Sequence, residues 1–158
     1  MSGSEFVCVT YVKAPPERVW RALTEPEFTT RYWGVAFDTD WTPGSPMTWD
    51  ENGATTSAPG QEVLEYDPPK RLAYTWHTFT PEWAERVGVP GDVLAKLAAE
   101  PRSKVRFDLE PDGGAVKLTV THDGFPDLST ARDMVSQGWP ALLSSLKSLL
   151  ETGEPIGS

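Results

Sequence analysis

Apolar and polar residues alternate along much of the chain, and a period of two residues is typical of strands with one buried face. The connectors YDPPKR and EPDGGA contain turn-forming residues, so the strands that flank them are expected to be antiparallel neighbours. We predict six or seven strands, within residues 6–14, 37–40, 46–52, 60–66, 71–79, 103–110 and 115–122.

Helical periodicity is confined to three regions. Two prolines open the segment APPERVWRALTEPE, and the apolar spacing that follows predicts two short helices separated by Pro26. Asp92 is a suitable N-cap for a short extra helix within residues 81–101, which we interpret as a lid over the sheet. The longest apolar stripe, in residues 127–153, predicts a long C-terminal helix that ends near Gly153.

These elements predict an α+β fold. An antiparallel sheet with one apolar face needs a cover, and the C-terminal helix is the only predicted element large enough to supply it. A curved sheet around a helix leaves a space between the two. The sequence of 158 residues contains no linker or internal repeat, so one domain over residues 1–158, with its core at about 6–153, is expected.

The stretch LTVTHDGF places a histidine on the apolar face of a strand, because Leu118, Val120 and His122 share one side. Three interpretations of His122 stay open: a buried ring paired with a protein group, a donor to a ligand in the cavity, or a general base. In RLAYTWHTF, His77 points opposite to Trp76, which predicts an outer-face position or one under the lid.

Composition and charge exclude several classes of function. The net charge of −9, with no basic cluster, opposes binding to nucleic acid or to anionic lipid. Two histidines and one cysteine are too few for a first-row metal site, so we expect no metal and no cofactor. No apolar run is long enough to cross a membrane and no secretory signal is present, so a cytoplasmic protein is expected.

Candidate catalytic groups are few. The sequence has no G-x-S-x-G motif and no glycine-rich phosphate loop. Glu62 and Glu65 lie on opposite faces of one predicted strand, so one of them, with Glu65 as the candidate, would point inward. An inward carboxylate with His122 would allow a metal-independent cyclase or hydrolase-like reaction.

Aromatic residues are the strongest sign of a binding site. The chain has seven tryptophans, spread over the elements that would surround the space between sheet and helix. Apolar pockets with a few polar groups are typical of small-molecule sites, and indoles add stacking area and one donor each. We predict the following ligand-binding residues: Trp33, Trp49, Trp76, Phe107, His122, Trp139 and Leu143.

Five segments occur in an order that resembles bacterial START-like (SRPBCC) proteins, and among these the group named for the activator of the heat-shock-protein-90 ATPase. The similarity covers residues 6–153. The segments are APPERVWRALTEPE, a short helix containing Trp33, GQEVLEYDPPKRLAYTW, VRFDLEPDGGAVKLTVTHDGF and GWPALLSSLKSLLETG.

The resemblance implies the helix-grip fold, with a hydrophobic cavity between the sheet and the C-terminal helix. It also implies a hydrophobic ligand of the lipid, polyketide or phenolic class. The family name implies a different role, a co-chaperone or stress-response module with a chaperone partner. A monomer and a homodimer are both compatible with these implications.

Overall fold

The structure, a computed structural model, describes residues 5–156. Its elements are, in chain order, β1 (Phe6–Val12), α1 (Pro16–Thr24), α2 (Pro26–Tyr32), β2 (Val35–Asp38), β3 (Thr48–Glu51), β4 (Ala54–Thr56), β5 (Val63–Asp67), β6 (Arg71–Thr75), α3 (Pro81–Val87), α4 (Gly91–Ala99), β7 (Lys104–Asp112), β8 (Ala115–Asp123) and α5 (Thr130–Thr152).

The strands form two antiparallel sheets. The larger has five strands in the order β1-β8-β7-β6-β5, and the smaller has three in the order β2-β3-β4. A single bridge between Pro46 and Glu62 connects the region of the small sheet to β5. The helix-grip fold is thus confirmed, and the strands divide because glycine and proline turns interrupt the chain between residues 42 and 62. The short strand β4 was not predicted.

Helix α5 covers the larger sheet, as the apolar stripe predicted. It is 23 residues long and runs without interruption through Pro140, which is exposed. Ser129 caps its first turn by accepting a hydrogen bond from the backbone N–H of Arg132 at 2.9 Å. Its buried stripe includes Val135, Trp139 and Leu146. No helix in residues 5–156 is long and apolar enough to cross a membrane.

The segment between β6 and β7 contains two helices, where one was predicted. The Thr80 side chain caps α3 by accepting from the N–H of Trp83 at 3.1 Å, and Gly88 ends the helix in the left-handed conformation. Past α4, the Glu100 carboxylate accepts hydrogen bonds from the Ser129 hydroxyl at 2.6 Å and the Thr130 N–H at 2.7 Å. The segment is therefore held against the start of α5.

The core between the two sheets contains a hydroxyl without a hydrogen-bond partner. Tyr74 is fully buried, and its OH contacts no donor or acceptor among the described residues. An unpaired buried polar group loses its hydration without compensation.

We therefore expect Tyr74→Phe to raise the free energy of unfolding by about 1 kcal/mol in urea denaturation. Tyr66→Phe, at an exposed tyrosine, is the control and should change nothing; a destabilised Tyr74→Phe protein would contradict the argument.

Candidate functional site

A cavity of about 180 Å³ lies between α5 and the segment formed by α3 and α4. Met134 of α5 borders it and is 37% exposed, so the opening lies beside the first turns of that helix. The cavity is bordered by Trp33, Glu51, Trp76, His77, Phe79, Trp83, Leu97, Ala131, Met134, Val135, Gly138, Trp139 and Leu142.

Three tryptophans from three different elements meet on one side of the cavity. Trp33 follows α2, Trp76 follows β6 and Trp139 lies on α5. The Trp33 ring centroid is 6.1 Å from that of Trp76 and 5.6 Å from that of Trp139. These spacings are typical of stacked and edge-on aromatic pairs, which hold the rings in fixed orientations. The cavity therefore has a rigid aromatic wall.

The polar groups of the cavity are a carboxylate and an imidazole. Glu51, the last residue of β3, accepts a hydrogen bond from the indole N–H of Trp83 at 2.8 Å. The His77 ring is 3% exposed, and its Nε2 lies 4.0 Å from Glu51 Oε1. Phe79 and Trp83 enclose His77, with ring centroids 5.0 and 4.8 Å away. An acid and a base thus face each other in apolar surroundings.

The hydrogen bond of His77 determines its tautomer. Its Nδ1 lies 2.8 Å from the carbonyl oxygen of Thr78, which can only accept, so Nδ1 carries the proton. Nε2 then has a free lone pair directed to the side of Glu51. Burial lowers the pKa of His77 to about 4, so the ring is neutral at pH 7 and forms no ion pair with Glu51.

Glu51 is the partly buried carboxylate of the site. Its side chain is 19% exposed, and desolvation raises its pKa, while the hydrogen bond from Trp83 partly opposes that rise. No lysine or arginine of residues 5–156 lies within salt-bridge distance of it. Glu51 and His77 are 4.0 Å apart, too far to share a hydrogen bond, so each can accept a hydrogen bond from a ligand.

His122 has protein partners for both ring nitrogens. The indole N–H of Trp139 donates to Nδ1 at 3.1 Å, so Nε2 carries the proton and donates to the Ser103 hydroxyl at 2.8 Å. The ring is fully buried, and desolvation lowers its pKa to about 3. Of the three interpretations of His122, the paired buried ring is the one that this geometry favours.

The structure brings together part of the predicted site. Trp33, Trp76 and Trp139 border the cavity, whereas the other four predicted ligand-binding residues lie in the core behind it. Those four are Trp49, Phe107, His122 and Leu143. Trp139 connects the two groups, since it borders the cavity and donates to His122.

Glu65 does not point inward, because the register of β5 shifts between the buried Val63 and Glu65 and the alternation of the strand is broken there. The side chain is 49% exposed and lies 3.7 Å from the guanidinium of Arg71. It therefore does not approach His122, and the proposed acid/base pair of those two residues is wrong. Glu51 and His77 are the carboxylate and the histidine that the fold brings together.

Sequence reasoning missed most of the cavity lining, including Glu51, Phe79, Trp83 and Leu97. It placed His77 opposite Trp76 because a strand was predicted to run to residue 79. The strand β6 ends at Thr75, the alternation stops there, and both side chains reach the cavity. The sequence did contain a sign that the strand ends early. The run of β-branched and aromatic residues passes directly into the turn residues of the next segment.

Metal binding finds no support in the geometry. Across residues 5–156, no group of three or more histidine, cysteine, aspartate or glutamate side chains is arranged to hold a metal ion. Glu51 and His77 alone would supply two ligands, fewer than the three or four that protein zinc sites use.

Comparisons with solved structures found close similarity of fold over nearly the whole chain. Protein MLL2253 from Mesorhizobium loti is 27% identical, with a TM-score of 0.71, over 94% of this chain and 97% of that one. CalU16 from Micromonospora echinospora is 22% identical, with a TM-score of 0.66, over 98% of this chain and 78% of that one.

A third solved structure is described as the Aha1 dimer from Colwellia psychrerythraea. It is 21% identical, with a TM-score of 0.66, over 95% of this chain and 98% of that one. A comparison with curated protein sequences gave no match. The sequence profile described as "Activator of Hsp90 ATPase homolog 1-like protein" matches residues 13–151. The chain belongs to this family, within the START-like proteins of helix-grip fold.

Proposed function

We propose that this protein binds a small apolar or aromatic molecule in the cavity between α5 and the α3–α4 segment. The observation that carries the proposal is the cavity itself, with an aromatic wall and only two polar side chains, Glu51 and His77. Binding sites for small molecules have this composition, because apolar burial supplies affinity and a few polar groups fix the orientation.

The size of the cavity narrows the ligand class. An apolar cavity of about 150 Å³ in another protein accommodates benzene. The present volume of about 180 Å³ therefore fits one aromatic ring with a short substituent. A phenolic or polyketide fragment of this size would be enclosed, whereas a sterol or fatty acid would extend through the opening beside Met134.

A substitution at Gly138 tests the cavity without disturbing the core. Gly138 lies within α5 and borders the cavity, and a Cβ added there meets no atom within 4 Å. Gly138→Leu should fill the cavity and lower the affinity for aromatic ligands at least tenfold. The helix should gain about 1 kcal/mol, because glycine is a poor helix former. Affinity is measured by titration calorimetry with hits from a thermal-shift screen of small aromatics.

The matched control is Gln137→Leu, which adds the same side chain at the neighbouring exposed position of α5. It should leave affinity unchanged. If the Gly138→Leu protein is folded and binds the same ligands as the natural protein, the cavity is not the binding site. If no small aromatic raises the melting temperature of the natural protein, the proposed function fails.

A protein-contact role is the second candidate, and β1 is the feature that favours it. The side chains of Val7, Val9 and Tyr11, on the outer face of this edge strand, are 44–48% exposed. We propose a second copy of the chain as the occupant, and the relative from Colwellia psychrerythraea, described as a dimer, supports this choice.

Light scattering should then give a dimer that Val9→Lys converts to a monomer. A monomer at every concentration of the natural protein would refute the proposed dimer.

The chaperone partner and the cytoplasmic location stay predictions. The family description supports a test of whether the protein stimulates the ATPase of a heat-shock-protein-90 chaperone. The same assay with the Val9→Lys protein would show whether the outer face of β1 takes part.

A further inference from the structure

The polar groups of the cavity both accept hydrogen bonds. The Nε2 lone pair of His77 is free because Nδ1 holds the proton for the Thr78 carbonyl. Glu51 Oε1 lies 4.0 Å away and already accepts a hydrogen bond from the indole N–H of Trp83. Two acceptors that face each other across this gap are complementary to a group that donates to both.

The surroundings of the two acceptors favour a positive charge on that group. Trp83 and Phe79 border the cavity beside His77, with ring centroids 5.3 Å from each other. Aromatic faces attract cations through the negative charge on their π-systems, and the attraction increases when water is excluded. A carboxylate next to aromatic faces is therefore a site for a cation rather than for a neutral polar group.

No cation of the described residues occupies this position. Besides burial, the positive charge of Arg102 lowers the pKa of His77, and its guanidinium donates to the Trp76 carbonyl at 2.9 Å. It does not border the cavity. Arg86 of α3 donates to the backbone carbonyl of Asn52 at 3.0 Å. The charge of Glu51 is thus left to be balanced by a ligand or by a proton.

We propose that the cavity binds a protonated primary or secondary amine on a one-ring body, with its N–H groups donating to Glu51 Oε1 and His77 Nε2. This inference rests on the proposed function and names the class of ligand. An ammonium group has the two donors that the acceptors require, and its charge pairs with the carboxylate. The ring packs against the apolar remainder of the wall.

Other ligand classes fit less well. A carboxylate would face Glu51 at close range and be repelled, and the cost of like charges rises in apolar surroundings. A neutral alcohol or phenol donates a single hydrogen, so it satisfies one acceptor and leaves the other unpaired. The proposal therefore predicts an order of affinity in which the amine binds most tightly and the carboxylate least.

A matched series of three probes tests this order. The probes are 2-phenylethylamine, 2-phenylethanol and 3-phenylpropanoate, which share a ring and differ in charge. Titration calorimetry at pH 7.5 should show the amine binding at least tenfold more tightly than the alcohol, with no detectable binding of the carboxylate. In Glu51→Gln, which keeps an acceptor for Trp83, the preference for the amine should fall to within about twofold.

The outcomes separate the two proposals. If the alcohol binds the natural protein as tightly as the amine, or Glu51→Gln keeps the preference, the amine is wrong and the cavity still binds a small molecule. If none of the three probes binds, the amine proposal fails, and the thermal-shift screen of small aromatics decides whether the proposed function stands. If all three bind Gly138→Leu unchanged, both proposals fail. The comparison within the natural protein holds even if Glu51→Gln does not fold.

A pH series provides a second readout. The groups that face Glu51 are His77 after β6 and the uncharged indole of Trp83 on α3, while Arg86 of α3 contacts the neighbouring Asn52. As pH falls, protonation of Glu51 removes its charge, so amine affinity should decrease while alcohol affinity stays constant. Above pH 5, where His77 is still neutral, the affinity of the Glu51→Gln protein for the amine should not decrease with falling pH. An amine affinity that increases as pH falls would contradict the proposal.

Discussion

Replacement of His122 by alanine is expected to destabilise the protein by about 3–5 kcal/mol, the range found when buried aromatic rings are truncated. The ring is fully buried, and its centroid lies 4.6 Å from that of Trp76 and 4.7 Å from that of Phe125. Its removal leaves a void in the core. It also leaves the Trp139 indole N–H and the Ser103 hydroxyl without their partner. Urea denaturation followed by tryptophan fluorescence measures the change.

The substitution His122→Phe separates the effect of the void from the effect of the lost hydrogen bonds. Phenylalanine fills most of the space but pairs with neither neighbour, so a loss of about 1–3 kcal/mol is expected from the orphaned polar groups. Ser103→Ala, which removes one hydroxyl partner, should cost about 1 kcal/mol. A His122→Ala protein that keeps its stability but loses ligand affinity would show that the ring serves a ligand instead.

Acidification is expected to weaken the fold steeply below pH 6.5. Burial lowers the pKa of His77 to about 4 and that of His122 to about 3, whereas histidines in the unfolded chain titrate near 6.5. Between these values the unfolded state binds about two more protons than the folded state. The free energy of unfolding should therefore fall by about 2.7 kcal/mol for each pH unit near pH 5.

The free energy of unfolding decreases as pH falls because the unfolded state takes up more protons than the folded state. Both histidines have lowered pKa values in the folded protein, so their contribution is fully present above 6.5 and is lost as pH falls toward 4 and 3. Glu51 has a raised pKa and opposes this slope. Denaturant titrations from pH 7 to 5 measure the slope of the free energy of unfolding with pH. The substitution His77→Gln should reduce this slope to about half. A slope below about 1 kcal/mol per pH unit would mean that the buried rings are charged in the folded state.

The position of the neutral histidines bears on function. A neutral His77 offers a lone pair to the cavity, and a charged one would repel the amine that we propose. His122, which is held by Trp139 and Ser103, lies behind the cavity wall and keeps the indole of Trp139 in place within that wall. The two rings thus have different tasks: His77 faces the ligand site, and His122 supports it.

The local patterns of the sequence were enough for the fold. Alternation identified most strands, including the strand that contains His122, because a half-buried strand must place its apolar residues on one side. The apolar stripe of α5, which covers the larger sheet, was predicted in the same way from apolar residues at helical spacing. The spread of aromatic residues over these elements predicted a site that included Trp33, Trp76 and Trp139, which border the cavity.

The polar half of the site required the tertiary structure. Glu51 lies at the end of a short strand, and Trp83 and Leu97 lie on two helices whose distance from that strand no local pattern specifies. His77 follows the last residue of β6, where alternation no longer determines direction. The sequence alone determined which residues prefer strand, helix and core, since those preferences are local. Only the three-dimensional fold decided that Glu51 and His77 meet in one aromatic cavity. That contact joins residues 26 positions apart, one at the end of a strand of the smaller sheet and the other just past a strand of the larger sheet.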